Sequence, residues 1–263
     1  MDIVFVGAGL ANCLMAARLA TQRPGLHMLL LEAGESVGGN HSWSCHDSDL
    51  TPAQRAFLAP FQSYRWAGHG VHFPAFSRTL KGGYATISSE RMAEVMNERL
   101  CAAIRTNARV AHVAADYVVL EGGERIDARA VVDGRGPMAS RHLDLGYQTF
   151  LGQELRLSRP HGLTRPVIMD ARVEQLGGYR FVYVLPLDDD TLLVEDTYYA
   201  DGPELPTDAL RGRISAYAAA QGWAVDYVVR EEDGILPIAL GGDIDAFLGE
   251  IPAGVAPAGL RAG

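Results

Sequence analysis

Two short apolar runs open the chain, separated by a segment whose apolar residues recur at helical spacing. The first run, Ile3 to Val6, is wholly apolar and rich in β-branched residues, as expected of a buried parallel strand. Leu14 and Ala17 belong to the helical pattern that follows, and Met28 to Leu31 forms the second run. This order of elements predicts a strand, a helix and a second strand lying parallel to the first.

A glycine-rich turn joins the first strand to the helix. Gly7 permits a tight turn, Gly9 lets the backbone approach a pyrophosphate, and the helix N-terminus offers free N–H groups. Glu32, 25 residues after Gly7, ends the second strand and can accept hydrogen bonds from ribose hydroxyls. Asn12 replaces the third glycine of the pattern, so we expect it to hold the helix slightly off the strand or to bond locally. The predicted dinucleotide contacts here are Gly7, Gly9, Leu10, Ala11 and Glu32.

Two further glycine turns favour a flavin over free NAD. A glycine pair soon after the second strand is typical of flavoproteins, although an ordinary flexible loop is the alternative. Ala130 to Asp133 is a buried strand that runs into a turn at Gly134. Two turns on one sheet could each bring backbone N–H groups close to a long ligand, whereas one turn alone is uninformative. The additional predicted cofactor contacts are Gly38, Gly39, Asn40, Val110, Asp133 and Gly134.

The remaining pattern is mostly of strands. Residues 51–84 break the α/β rhythm and are rich in aromatic residues, and residues 145–250 read mainly as β-structure. The individual elements predicted are helices at Met92–Leu100 and Ala209–Gln221, a strand or hairpin arm at Val110–Leu120, a hairpin of Tyr179–Leu187 with Thr191–Tyr199, an apolar stretch at Ile235–Ile238, and the start of a sheet strand at 259–263.

These elements predict an α/β fold in which a β-rich substrate domain is inserted into an FAD/NAD(P)-binding Rossmann-like domain. The expected FAD-binding domain is discontinuous, covering residues 1–50 and 85–145 and returning near 255–263. The expected substrate-binding portion covers residues 51–84 and 146–254.

The predicted hairpin carries the candidate chemistry. Because side chains alternate along a strand, Glu195 and Asp196 point to opposite faces and cannot form an adjacent pair. An acid in mid-strand among Leu, Val and Tyr would lose its hydration, which raises its pKa and favours the protonated form. A neutral carboxylic acid beside aromatic rings suits the protonation of an apolar alkene. The alternative, an edge ribbon with both acids in water, is equally compatible with the spacing.

Composition narrows the classes of partner. The chain has 263 residues, of which 48% are hydrophobic and 21% charged, with a net charge of −9. An acidic surface repels phosphate backbones, which argues against a nucleic-acid partner. The three cysteines lack paired metal-ligand spacing, and the mixed residues from His41 to Asp47 are expected to form a loop between flavin and substrate rather than a metal site. Glu231 to Asp233 is expected to be a solvated face.

No run approaches the ~20 apolar residues of a membrane span, and Met1 leads directly into the first strand without a signal-peptide pattern. We therefore expect a cytoplasmic protein whose membrane contact, if any, is peripheral and at the inner face of the membrane. The aromatic residues between 57 and 76 could provide that contact, or equally a wall of the substrate cavity.

The motifs together closely resemble those of the bacterial lycopene β-cyclases. They are VGAGLAN at 6–12, GGNHSWSCHD at 38–47, VVDGRGP at 131–137, FLGQE at 150–154, HGL at 161–163, IMDA at 168–171, GYRFVYVLPL at 178–187, LLVEDTYY at 192–199 and EDGILPI at 232–238. Cys45 departs from the phenylalanine common in the family, and family members continue beyond the residues that correspond to Gly263.

The resemblance implies cyclisation of lycopene end groups to β-ionone rings, giving γ-carotene and β-carotene, with no net oxidation or reduction. It also implies reduced FAD as cofactor and NADPH as the electron source. The glutamate of the LLxED motif, Glu195 here, is implied as the acid, and Asp196 as a structural residue or a second acid or base. Two alternatives remain: a flavin-dependent hydroxylase or prenyl-chain reductase of the same fold, and an inactive carotenoid- or nucleotide-binding remnant.

Overall fold

Sixteen strands and five helices make up the computed structural model, which describes residues 1–263. The strands in chain order are β1 (Ile3–Val6), β2 (Met28–Leu31), β3 (Ser42–His46), β4 (Tyr64–His72), β5 (Ser77–Ser88), β6 (Ile104–Arg105), β7 (Val110–Val113), β8 (Tyr117–Leu120), β9 (Arg125–Asp127), β10 (Ala130–Asp133), β11 (Leu143–Leu157), β12 (Val167–Asp170), β13 (Tyr179–Pro186), β14 (Thr191–Ala200), β15 (Val225–Gly242) and β16 (Val255–Pro257).

Four of the five helices begin after a side-chain cap or a glycine, and α4 begins after Pro206. They are α1 (Leu10–Gln22), α2 (Pro52–Leu58), α3 (Ser89–Leu100), α4 (Thr207–Ala220) and α5 (Ile244–Gly249). Thr51 caps α2 by accepting a hydrogen bond from the backbone N–H of Gln54, and Ser88 caps α3 in the same way. Gly9 precedes α1 without a side-chain cap, so the first turn of that helix keeps its N–H groups free of side-chain acceptors.

The first layer is a five-stranded parallel sheet in the order β16-β10-β1-β2-β6, the type of sheet that nucleotide-binding domains contain. Phe5 and Leu30 face a core that also contains Ala16 of α1 and Met92 of α3. The opposite face packs against a small antiparallel sheet in the order β7-β8-β9. The apolar runs of β1 and β2 are thus covered on both faces, as a parallel sheet requires.

An eight-stranded sheet in the order β15-β11-β14-β13-β12-β4-β5-β3 forms the second layer. Its neighbours pair antiparallel except for β12 with β4. Helix α4 covers one face, where Leu210 and Ile214 pack against Leu151 and Val182. The sheet curls over its other face, so that Ser44 of β3 contacts Tyr183 of β13.

The predicted α/β fold class is confirmed, and most predicted elements form near the expected positions. Residues 110–120 fold as the hairpin β7–β8, and the apolar stretch 235–238 lies within the 18-residue strand β15. The prediction of a strand start at 259–263 is wrong. The strand lies earlier, at Val255–Pro257, and Gly259–Ala262 forms a 3-10 turn. Gly259 cannot continue the strand, because its φ of +58° is incompatible with an extended backbone.

The two large sheets draw their strands from several separate segments of the chain. β16 joins the parallel sheet, and β4 and β5 join the eight-stranded sheet with β11 to β15. β3, which lies within residues 1–50, pairs with β5 in the eight-stranded sheet. The division into a discontinuous FAD-binding domain and a substrate-binding portion stays a prediction. Among the helices, none combines the length and the apolar character needed to cross a membrane.

Candidate functional site

A cavity of about 720 Å³ opens at the carboxyl ends of β1 and β2. This is the edge of a parallel sheet where nucleotides bind in doubly wound folds. Its volume lies within the range of about 300–1,000 Å³ typical of ligand pockets. The lining residues are Val6, Gly7, Ala8, Gly9, Leu31, Glu32, Ala33, Gly38, Gly39, His41, Ala108, Arg109, Val110, Ala111, Glu121, Gly134 and Arg135.

The first glycine turn is shaped for close backbone approach. Gly7 has φ +85°, and a Cβ there would lie 2.8 Å from the carbonyl oxygen of Gly134. A Cβ on Gly9 would meet no atom within 4 Å, because Gly9 faces the open cavity. The uncapped N-terminus of the 13-residue helix α1 follows at once. A backbone that approaches closely and presents a positive dipole end suits a pyrophosphate, so these residues fit the phosphate part of a dinucleotide.

Glu32 joins two backbone segments at the edge of the cavity by hydrogen bonds. One carboxylate oxygen accepts a hydrogen bond from the Ala8 N–H and the other from the Gly34 N–H, each at 2.8 Å. Asn12 stands in place of the third glycine, and of the two expected outcomes the structure shows local bonding. Its amide donates to the carbonyl oxygens of Val6 and Gly7 at 3.0 and 2.8 Å. The side chain therefore fixes the turn from beneath.

Seven of the predicted cofactor contacts line this cavity, and four do not. Those that line it are Gly7, Gly9, Glu32, Gly38, Gly39, Val110 and Gly134. Leu10, the first residue of α1, packs on the core, and Ala11 follows it in the first helical turn. Asn40 instead accepts a hydrogen bond from Arg230, at 2.8 Å. Asp133 is buried, and its carboxylate accepts hydrogen bonds from Arg135 at 2.9 Å.

Sequence reasoning missed the two arginines at the cavity. Arg109 and Arg135 both line it, and Arg135 is held by Asp133. Arginine is a strong partner for phosphate because its guanidinium donates two parallel hydrogen bonds. The available signal was adjacency, since each arginine stands within two residues of a predicted contact, Val110 or Asp133. The stretch from His41 to Asp47, expected as a loop, forms β3 from Ser42 to His46.

Glu195 lies in β14 on the inner face of the curled sheet. It pairs across the ladder with Tyr183 on one side and Gly152 on the other. The Tyr183 hydroxyl contacts the hydroxyl groups of Ser44 at 2.7 Å and Tyr84 at 2.9 Å, so that two phenol rings lie on the same face. Tyr183 belongs to the hairpin that carries Glu195, whereas Tyr84 comes from β5.

The environment of Glu195 favours its protonated form. Burial raises the pKa of the Glu195 carboxyl from an ordinary 4.5 to about 7, and the charges of Glu232 and Asp196 act in the same direction. A hydrogen bond from the Thr197 hydroxyl, at 2.5 Å, opposes the rise. Burial also raises the pKa of the Tyr183 hydroxyl, which stays a neutral donor. Glu195 can therefore hold a proton near neutral pH and deliver it to a weakly basic partner.

Asp196 points to the opposite face, towards α4, and is fully buried. The Arg180 guanidinium donates to its carboxylate with an Nε–oxygen distance of 3.0 Å, and Arg213 of α4 lies 3.4 Å from it. Such a buried pair leaves an uncompensated charge when one partner is removed. This arrangement separates Asp196 from the face that carries Glu195.

Glu232 is a buried carboxylate that the sequence expectation misplaced. The run from Glu231 to Asp233 was expected to be a solvated face, which is wrong for Glu232, since it is only 3% exposed. Ser42 and Arg230 both donate to its Oε2, at 3.0 and 2.8 Å. Alternation along β15 was the signal that could have found it, because the two flanking acids then face outward.

The parallel sheet, its glycine turns and the curled second sheet define an α/β fold that is similar to the fold of FAD-dependent monooxygenases. A geranylgeranyl bacteriochlorophyll reductase-like protein from Thermoplasma acidophilum superposes with a TM-score of 0.62 at 13% identity, over 97% of this chain and 70% of that one. A p-nitrophenol 4-monooxygenase from Pseudomonas putida gives 0.59 at 15% identity, over 91% and 69%. Other neighbours are described as FAD-dependent or FAD-containing monooxygenases. At these identities the likeness shows the shared fold.

The sequence comparisons identify the family within that fold. The family model described as "Lycopene cyclase protein" matches residues 2–263. Lycopene beta-cyclases from Pseudescherichia vulneris and Pantoea ananas are 51% and 48% identical over the whole of this chain, which spans 68% of each of them. The chain belongs to the lycopene cyclase family. The predicted family, enzyme class and fold are thereby confirmed.

Proposed function

We propose that this chain catalyses the redox-neutral cyclisation of the open end groups of lycopene to β-ionone rings, with Glu195 as the acid. The observation that carries the proposal is the position of Glu195 opposite Tyr183 and near Tyr84 on one sheet face, in a member of the lycopene cyclase family. Burial there raises the pKa of the Glu195 carboxyl to about 7. Protonating an alkene requires a neutral acid, and a carboxyl group with an ordinary pKa is ionised at neutral pH.

FAD is the proposed cofactor, with NADPH as the source of its electrons. Gly7 and Gly9, with the N–H groups of Leu10 and Ala11, would hold the pyrophosphate, and Glu32 the ribose. Other proposed contacts come from Gly38, Gly39, Asn40, Val110, Asp133 and Gly134. Support comes from the cavity at the sheet edge and from the open space in front of Gly9. When bound in reduced form, FAD supplies an electron-rich ring system that stabilises nearby positive charge.

The reaction requires one proton donated and one removed. The Glu195 O–H donates its proton to the terminal double bond, and the π electrons of the neighbouring double bond form the ring C–C bond. The positive charge then lies on the ring, beside the Tyr183 and Tyr84 phenol groups. Each cation–π contact contributes about 0.5–2 kcal/mol when water is excluded. Loss of a ring proton to a base forms the product double bond, so no electrons are gained or lost.

Asp196 serves this reaction structurally in our proposal. Its buried pair with Arg180 fixes β14 against β13, and this fixes the direction in which Glu195 points. The substrate itself dissolves in lipid, so we propose peripheral contact with a membrane surface. The turn between β4 and β5 supports this, because Phe76 is 58% exposed there and stacks with Phe73.

Expression in lycopene-accumulating bacteria tests the proposal. The chain should be expressed alone and fused to the part of the Pseudescherichia vulneris relative that it does not match, with Glu195→Gln as a matched variant in both forms. The expected result is a product of the same mass as lycopene that carries β-ionone rings, lost in Glu195→Gln. A product heavier by oxygen or hydrogen, or unchanged cyclisation by Glu195→Gln with reduced FAD bound, would refute the proposed chemistry.

A further inference from the structure

A cluster of hydrogen bonds joins the glycine loop of the cavity to β15, about 190 residues away. The Asn40 amide donates to the backbone oxygen of Glu231 at 2.7 Å, and Arg230 donates to Asn40 Oδ1 at 2.8 Å. Arg230 also donates to Ser42 Oγ at 3.1 Å. These bonds, with those that Ser42 and Arg230 make to Glu232, form what we call the loop clamp (Asn40, Ser42, Arg230 and Glu232).

Glu232 and Glu195 flank the same glycine. Gly152 in β11 pairs with Glu195 of β14 on one side and with Glu232 of β15 on the other. A Cβ on Gly152 would lie 3.3 Å from the Glu232 Cγ and 3.5 Å from the Glu195 Cβ, so all three positions share one face. The Leu193 Cδ1 methyl group lies 3.3 Å from the same Cβ position, so an apolar group stands beside the two carboxyl-bearing residues. They differ in their partners, since Glu232 is paired with an arginine and Glu195 accepts from the Thr197 hydroxyl.

We propose that Glu232 is a positioning residue, whose charge, fixed by Arg230 and Ser42, keeps Glu195 in its acid form. The inference rests on the proposed role of Glu195. Because Asn40 and Ser42 lie one and three residues after Gly39, the clamp also joins the glycine loop to Glu232. When two carboxyl groups lie in different environments, the ion-paired one stays charged and the one in apolar surroundings stays protonated. Here Glu232 is the first and Glu195 is the second.

The other ionisable groups around Glu195 do not replace Glu232. Tyr183 and Tyr84 face it from β13 and β5, and both stay neutral because burial raises the pKa of their hydroxyl groups. Asp196, next in β14, adds negative charge from the opposite face, where Arg180 and Arg213 neutralise it. On the same face as Glu195, the charge of Glu232 raises the pKa of Glu195, whereas Glu154 in β11 lies 3.5 Å from the Arg230 Nε.

The size of the effect follows from the spacing of the strands. Glu195 and Glu232 lie on either side of β11, a backbone separation of ~10 Å. At that distance, and with an effective dielectric constant of ~20, one negative charge raises the pKa of a carboxyl group by about one pH unit. Replacing Glu232 with an uncharged residue of the same shape should therefore lower the titration midpoint of Glu195 by about one pH unit.

The test is a carbon-13 NMR titration of the chain labelled at glutamate carboxyl carbons, with the Glu195 signal assigned by its loss in Glu195→Gln. Glu232→Gln should lower the midpoint as calculated. Glu231→Gln is the matched control, because that neighbour points away, towards Arg211 and Gln153, and it should leave the midpoint unchanged. Equal midpoints in Glu232→Gln and in the unsubstituted chain would overturn the inference.

A measurement on the unsubstituted chain covers the case in which Glu232→Gln does not fold. Coupled carboxyl groups show each other's titration. A second glutamate signal should therefore inflect at the Glu195 midpoint and lose that inflection in Glu195→Gln, and its absence would overturn the inference. The titration needs no substrate, so a chain that couples the two groups but does not cyclise lycopene refutes only the proposed function. Cyclisation without coupling refutes only the role of Glu232.

Discussion

Replacing Glu195 with glutamine should stabilise the fold at neutral and alkaline pH. In the unfolded chain a glutamate ionises near 4.5, whereas in the folded chain burial holds the pKa of Glu195 at about 7. Between these values the folded state binds one proton more than the unfolded state, so the free energy of unfolding falls as pH rises. The loss is complete above the folded pKa. The step from 4.5 to 7 corresponds to about 3 kcal/mol, at 1.36 kcal/mol per pH unit.

Glutamine cannot ionise, so the unfolding free energy of the Glu195→Gln variant does not fall in this way as the pH rises. The difference in unfolding free energy between variant and unsubstituted chain should increase by about 2–3 kcal/mol between about pH 5 and about pH 8.5. Urea denaturation followed by circular dichroism at several pH values measures it. Glu94→Gln, the same change at a residue whose side chain is 62% exposed, is the control and should show no comparable trend. A difference for Glu195→Gln that stays flat or shrinks with rising pH would refute the buried, protonated carboxyl.

Two substitutions and one labelling experiment test other parts of the structure. Gly7→Ala should lower the thermal midpoint and weaken FAD retention, because its Cβ would meet the Gly134 carbonyl at 2.8 Å and φ is +85°; unchanged melting and flavin absorbance would contradict this. Asp196→Asn should destabilise the fold by about 3–5 kcal/mol in urea denaturation, since Arg180 would remain buried without its partner; a loss below about 1 kcal/mol would place that arginine in water. Cys13 should resist iodoacetamide at about pH 8 in the folded chain and react in a denatured sample, as read by mass spectrometry, because burial raises its thiol pKa to about 12.

The local parts of the site could be predicted from the sequence. Gly7, Gly9 and Glu32 lie within one strand–turn–helix–strand unit, and the spacing that predicts their contacts also folds them onto one cavity. Alternation in β14 separates Glu195 from Asp196 for the same reason, because neighbouring strand residues point to opposite faces. These inferences needed only residues close together in the chain.

Contacts between distant segments could not be predicted in this way. Asn40 looked like a cofactor contact beside Gly39, yet its side chain bonds to β15. Glu232 looked solvated within an acidic run, yet the curl of the sheet brings Ser42 onto it. No periodicity within a window of the sequence reports that the two segments meet. The proposed roles of the site residues stay predictions for the experiments described above.

The loop clamp also sets an order for folding. Its bonds join positions 188 to 191 residues apart, so Asn40 and Ser42 cannot find their partners until Arg230 and Glu232 have been synthesised. Contacts of such long sequence separation carry a large loop-closure entropy and form slowly. β3 lies at the end of the eight-stranded sheet and pairs there with β5 alone. In a growing chain, therefore, the Asn40 and Ser42 side chains lack their partners and are open to chaperones and other chains until β15 has been synthesised.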